Sequence, residues 1–190
     1  MIEKRVGGFV DGSTGNTVVG WAAVFGPLSE DLGGFRERIE PTAFDFSLRE
    51  NQDVRALVDH DSGKVLGRRS NGTLKLSTDE RGLKVEIDLP DTTYARDLKT
   101  LMNRGDISQM SFAFTVPPNG DKWDGKTEDG LRLRTLTDVR LVEVSVVAIP
   151  AYPDTTAAIR KLNLISLPTH KRLSAIALSL KYPAGWQRPS

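Results

Sequence analysis

Ile107-Ser108-Gln109-Met110-Ser111-Phe112-Ala113-Phe114-Thr115-Val116 is the stretch whose alternation decides the fold. In a β-strand successive side chains point to opposite faces. Met110, Phe112, Phe114 and Val116 then share one apolar face, while Ile107, Gln109, Ser111, Ala113 and Thr115 share a smaller, partly polar one. That is the pattern of a half-buried strand, and it carries Ser111 on a rigid element. Gly105-Asp106 supplies a turn before it, and Pro117-Pro118-Asn119-Gly120 a stop after it. Taken alone, Ser111 reads as an ordinary strand serine.

Two other positions bear on Ser111. The chain has 2 histidines, His60 and His170, so a serine mechanism with an imidazole base has few candidates. His60 follows the apolar run Val54–Val58, where a strand would emerge into a loop. His170 lies near Pro168 in a tail-like region and is the poorer base. Glu143 sits inside Leu141-Val142-Glu143-Val144-Ser145-Val146-Val147-Ala148-Ile149, otherwise the most β-prone run of the chain. A carboxylate there is costly to bury without a partner. The alternative is an edge strand with Glu143 facing water. His, Ser and Glu thus fall, in that order, at three predicted strands.

Composition sets the outer bounds. A chain of 190 residues suits one domain with a sizeable core and an appended tail. With 27% charged residues and a formal charge of +1, the surface is ordinary and no nucleic-acid partner is expected. The absence of cysteine excludes disulfides, thiolate metal sites and a cysteine nucleophile. No metal-ligand cluster or phosphate-cradling loop is visible, so neither cofactor nor metal is expected; Gly7-Gly8 and Gly33-Gly34 lack the strand–helix context. The N-terminus shows no apolar signal region, and no apolar run approaches the roughly 20 residues that span a bilayer. No membrane partner is expected, and the working compartment reads as cytoplasmic.

Along the chain, strands are predicted at Val18–Phe25, Phe35–Glu40, Val54–Val58, Lys64–Arg68, Thr73–Ser77 and Leu83–Leu89. Ser70-Asn71-Gly72 and Asp79-Glu80-Arg81-Gly82 read as hairpin turns between the later ones. Pro41–Arg49 reads as a short helix. A longer one starts at an Asp91 or Thr92 cap and stops at Gly105, with Tyr94, Leu98, Leu101 and Met102 as its apolar stripe. Trp123, in the polar segment Asp121–Gly130, is either a loop anchor or a lip over a substrate groove. Arg132–Thr137 and Val139–Ile149 are predicted to pair with each other, and Asp154 or Thr155 to cap a last helix through about Leu162. The sum is a mainly β (α+β) fold, a closed or partly closed β-barrel with a few short helices.

Residues 163–190 differ in kind. Lys171, Arg172, Lys181 and Arg188 occur with no acid, and Leu173, Ile176, Ala177 and Leu180 have helical spacing. The expected organisation is a domain over 1–162 and a basic, partly disordered tail over 163–190. This region is either a solvated tail plus a packing helix or a detachable docking tail that binds an acidic or apolar partner surface.

Four blocks together resemble the prohead protease family of tailed bacteriophages. They are Phe35–Phe44, Val58-Asp59-His60-Asp61, Ile107–Phe114, and Leu141–Val147 with Pro150-Ala151-Tyr152-Pro153. Thr42 stands where that family usually has Gly, which bears on a turn rather than on chemistry. The resemblance covers roughly residues 18–159 and implies a serine endopeptidase of capsid maturation, distantly similar in fold to the herpesvirus assembly protease. It implies Ser111 as nucleophile, His60 as base and Glu143 as the carboxylate that orients the imidazole. Ser145, two residues on, would share Glu143's face, and Asp59 or Asp61 beside His60 are local competitors for the third role. The oxyanion site is open, backbone amides or an arginine such as Arg134 being the options. The implied substrates are the scaffolding segment of the major capsid protein and the protease itself. Self-association is expected inside a procapsid assembling in the host cytoplasm. A non-enzymatic head-assembly or scaffold protein that keeps the fold is the alternative function.

Overall fold

The computed structural model describes residues 1–50 and 52–148. The predicted helix ending near Leu162, the Pro150–Pro153 stop and the tail over 163–190, with His170, lie outside the described residues. Among those described are β1 (Glu3–Thr14), β2 (Thr17–Val24), β3 (Phe35–Ile39), β4 (Arg55–Val58), β5 (Asp61–Arg68), β6 (Leu74–Thr78) and β7 (Gly82–Asp88). Then come β8 (Gln109–Thr115), β9 (Asp121–Lys122), β10 (Arg132–Leu136) and β11 (Arg140–Val147), with helices α1 (Asp45–Arg49) and α2 (Thr93–Arg104).

Eight strands form one sheet in the order β5-β4-β11-β8-β1-β2-β7-β6, and β3-β10-β9 form a second. The large sheet curls into a half-barrel but does not close, because β5 and β6 end it without pairing with each other. The expectation of a barrel therefore holds only as a curled, mainly β fold. The Ser70-Asn71-Gly72 turn makes no β5–β6 hairpin; it is a short 3-10 turn ended by Gly72 at φ 81°. The Asp79–Gly82 turn does join the β6–β7 hairpin.

The strand β8 lies centrally, between β11 and β1. Its apolar face enters the core: Phe112 and Phe114 stack at 5.0 Å, and Phe44 meets Phe112 edge-on at 5.5 Å. Helix α2 ends as predicted, with Gly105 left-handed at φ 83°, and buries Ala95 and Leu98. The strand is not half-buried, however. Ser111 and Ala113 are as buried as Met110, so both faces are covered.

The strand β1 escapes the sequence reading, yet it fills the place between β8 and β2. Its composition, with Gly7, Gly8 and Gly12, hides any alternation, and bulges interrupt both of its ladders. Gly8 is needed for the close approach: a Cβ there would lie 1.9 Å from the Trp21 carbonyl oxygen.

The predicted pairing of Arg132–Thr137 with Val139–Ile149 is wrong. β10 runs parallel to β3 and antiparallel to β9 in the small sheet, while β11 joins β4 and β8 in the large one. Buried charge explains why β10 leaves. Arg134 is 7% exposed and bonds Glu3, Glu37 and Asp121, and Arg5 bonds Glu37 and Glu3. These ion pairs tie the small sheet to β1. Burial works to lower the Arg134 pKa, but its bonds to Glu3 and Asp121 prevail and raise it. Burial pushes the Glu37 carboxyl up, against the pull of Arg5 and Arg134.

The Glu3 carboxyl is held below the ordinary 4.5, chiefly by its hydrogen bond from Arg134, against the opposing effect of burial. A carboxyl with a lowered folded pKa stabilises the fold fully above its unfolded value and loses that contribution as pH falls through the folded one. Glu3→Gln is therefore expected to cost roughly 1–2 kcal/mol at neutral pH. Urea unfolding should show the gap to wild type closing below pH 4.5.

Candidate active site

The His60 side chain projects from a two-residue turn. Val58 pairs with Asp61, leaving Asp59 and His60 as the only residues between β4 and β5. Both are left-handed, at φ 48° and φ 60°. A tight hairpin turn of this kind requires positive φ at both central positions and usually takes Asn-Gly or Asp-Gly. A side chain in that region costs roughly 1–2 kcal/mol. His in place of the expected Gly is thus a strained choice, and the neighbouring strand offsets it. The Asp59 amide donates to the Val146 carbonyl at 3.0 Å. The Asp59 Oδ1 accepts the Ala148 N–H at 2.8 Å. The His60 amide donates to the Ser145 Oγ at 3.2 Å. Three hydrogen bonds hold the turn to β11 and to Ala148 just after it.

Glu143 lies on β11, an interior strand flanked by β4 and β8, so the edge-strand alternative is excluded. It is 7% exposed, and both of its oxygens are met. The His60 Nδ1 lies 2.5 Å from Oε1. The Ser145 hydroxyl donates to Oε2 at 2.6 Å. An ionised carboxylate only accepts, so the proton of a neutral imidazole is on Nδ1 and Nε2 carries the lone pair. That is the tautomer a general base needs.

Ser111 faces the same side. It pairs directly with Ser145, and Ala113 pairs with Glu143, across the β8–β11 ladder. Directly paired residues share a face with Cβ atoms roughly 5 Å apart. The Ser111 hydroxyl is fully buried and donates to the Arg5 carbonyl of β1 at 2.8 Å. The structure therefore joins His60 to Glu143 directly and sets Ser111 one strand over, its proton directed to β1.

The competitors for the third position separate cleanly. Asp59 spends a carboxylate oxygen on the Ala148 amide. Asp61 is exposed and turned toward Gly63 N–H and Lys64, whose hydrogen bonds hold its pKa below the usual aspartate range. Ser145 touches the His60 backbone and Glu143 rather than the ring. Arg134 is no candidate for an oxyanion site. Arg5 reaches across the Phe114 ring on the core side of β8, and Arg134 shares Glu3 and Glu37 with it there, away from Ser111. Trp123 fits the anchor reading: it packs on Phe35 at 5.0 Å and beneath the Arg132 guanidinium at 4.5 Å.

Sequence reasoning misses the Asp59-His60 turn geometry and the role of Arg5 as a main-chain acceptor. An Asp-X pair between two apolar runs is the available signal for the first. The strain can be tested. Asp59→Val puts a β-branched residue at positive φ and removes the Ala148 bond, for an expected loss of about 2–3 kcal/mol in denaturant unfolding. Asp59→Asn keeps both features and should stay within about 0.5 kcal/mol of wild type.

Comparison with known proteins bears on what this geometry is for. The family profile described as caudovirus prohead serine protease matches residues 7–168. No curated protein matches the chain. Among solved structures, the bacteriophage T4 capsid assembly protease, gp21, superposes at TM-score 0.48 with 10% identity, over 78% of this chain and 98% of that one. The profile spans the buried Glu143–His60 contact and the Ser111 strand alike, and by it this chain belongs to the caudovirus prohead serine protease family.

Proposed function

We propose that Ser111, His60 and Glu143 are the catalytic triad of a capsid-maturation endopeptidase. The observation that carries the reading is the 2.5 Å contact between Glu143 and His60 Nδ1, made on the sheet face that also bears Ser111. The Ser111 hydroxyl turns from the Arg5 carbonyl to His60 Nε2. Its Oγ attacks the scissile carbonyl as the imidazole takes the proton. Collapse of the tetrahedral intermediate breaks the C–N bond, and His60 hands that proton to the leaving amine. Water, activated by the same imidazole, then releases the acyl group from Ser111. Glu143 holds the ring in the required tautomer and stabilises its charged form.

In this reading the substrates are the scaffolding segment of the major capsid protein and the protease itself. Cleavage takes place inside the procapsid, within the host cytoplasm, where copies of the protease gather. Membership of the prohead family supports that setting. Kinship to the herpesvirus assembly protease rests on the sequence blocks alone.

Co-expression with the capsid protein, followed by intact-mass analysis of both chains, tests the assignment. Ser111→Ala and His60→Ala should abolish processing while the protein still folds. A folded Ser111→Ala that cuts at the wild-type rate refutes the nucleophile. Glu143→Gln should lose on the order of 10²–10⁴ in single-turnover rate, and Asp61→Asn almost nothing. The reverse result would move the third role beside His60.

The basic composition of residues 163–190 supports a docking segment separable from the protease domain over 1–162. A chain ending at Leu162 should stay soluble and cleave the capsid protein in solution, yet enter particles poorly. Equal incorporation of the short and full-length chains would remove the docking role.

A further inference from the structure

Ser145 takes no step in the reaction just described, yet the supports of the site converge on it. It is fully buried and lies directly opposite Ser111. Its hydroxyl makes two contacts that do different work: it donates to Glu143 Oε2 at 2.6 Å and accepts the His60 main-chain N–H at 3.2 Å. The first concerns rotation. The terminal torsion of a glutamate is broad and weakly restrained, so a bond to one oxygen leaves the carboxylate plane free to turn. Bonds to both oxygens, His60 on one and Ser145 on the other, fix it. The second concerns the backbone. His60 is left-handed, and its amide is tied to β11 through this side chain.

We propose that Ser145 is a positioning residue of this site, setting the plane of the Glu143 carboxylate and pinning the strained turn that aims the His60 imidazole. It is not a second nucleophile, because its proton is committed to Glu143. The proposal rests on the Ser111–His60–Glu143 reading.

The test uses the full-length protein and a phosphonofluoridate reagent. The rate of covalent labelling at Ser111 reports how well that hydroxyl is activated and needs no known cleavage site. Ser145→Ala removes both contacts with little change in volume. Labelling is expected to slow about 10- to 150-fold, the range set by a hydrogen bond to a charged group. Glu143→Gln should slow it further. Ser145→Thr keeps the hydroxyl and should recover most of the rate. The His60 Nδ1 proton, sought far downfield in proton NMR, supplies a signature that a merely structural role would leave in place. It should shift or broaden in Ser145→Ala and vanish in Glu143→Gln.

Wild-type labelling with an unmoved resonance in folded Ser145→Ala overturns the inference, provided Glu143→Gln is slowed. If Glu143→Gln also labels at the wild-type rate, the triad reading falls and this inference with it. Should Ser145→Ala fail to fold, Ser145→Cys decides. It is a weaker donor of similar size, and an unchanged rate and resonance there would refute the role equally.

Discussion

A carboxylate in an interior strand survives folding only if its charge is met. Glu143 imposes that condition on everything around it. One oxygen is met from its own strand, by Ser145 two residues on, because side chains at that spacing share a face. The other is met from outside β11, by an imidazole. That second demand fixes where β4 ends, since His60 reaches Oε1 only from a turn set directly against β11. The parallel register of Glu143 with Arg55 and Val146 with Val58 brings the turn to the right level. The left-handed conformations of Asp59 and His60 follow from the turn's brevity, and their cost is offset by bonds to the same strand that carries Glu143. A longer loop would relieve the strain and loosen the aim of the ring.

The protein holds a second group of buried charges on the opposite side of the large sheet, and the two differ in composition. The Glu3, Arg5, Glu37, Arg134 and Asp121 cluster matches carboxylates with guanidiniums, which stay charged and donate in fixed directions. Such a group can join two sheets, and its guanidiniums do not serve as proton acceptors. The Glu143 group contains an imidazole and two hydroxyls instead, all able to give or accept a proton. The distinction between glue and chemistry lies in these residue types, since burial is comparable in both.

Much of this is legible in the sequence alone. Alternation along Ile107–Val116 places Ser111 opposite the Phe112–Phe114 face, and the cost of burying Glu143 marks it as a residue that needs a partner. Gly105 ends helix α2 where the sequence places it, because C-capping acts over a few residues, whereas Thr92 at the other end makes no side-chain cap bond. Long-range pairing is a different matter. β1 shows no period because its glycines serve neighbouring backbones rather than a core, and β10 has the pattern of a strand without saying which strand it joins. The buried partners of Arg134 on β10 include Glu3 and Glu37, which lie 131 and 97 residues away in sequence. Nor can alternation show that Ser111 and Ala113 are buried, because burial depends on residues distant in the chain.

Because β1 lies beside β8, the resting state of Ser111 depends on a strand the sequence barely announces. In this structure the hydroxyl donates to the Arg5 carbonyl. In the proposed mechanism, redirecting the hydroxyl toward His60 begins with a change of χ1, whose rotamers lie about 120° apart. The exchange forfeits one neutral hydrogen bond, worth about 1 kcal/mol, and gains one to the imidazole. In the proposed mechanism the nucleophile therefore rests with its proton on β1 and is activated by a change of partner.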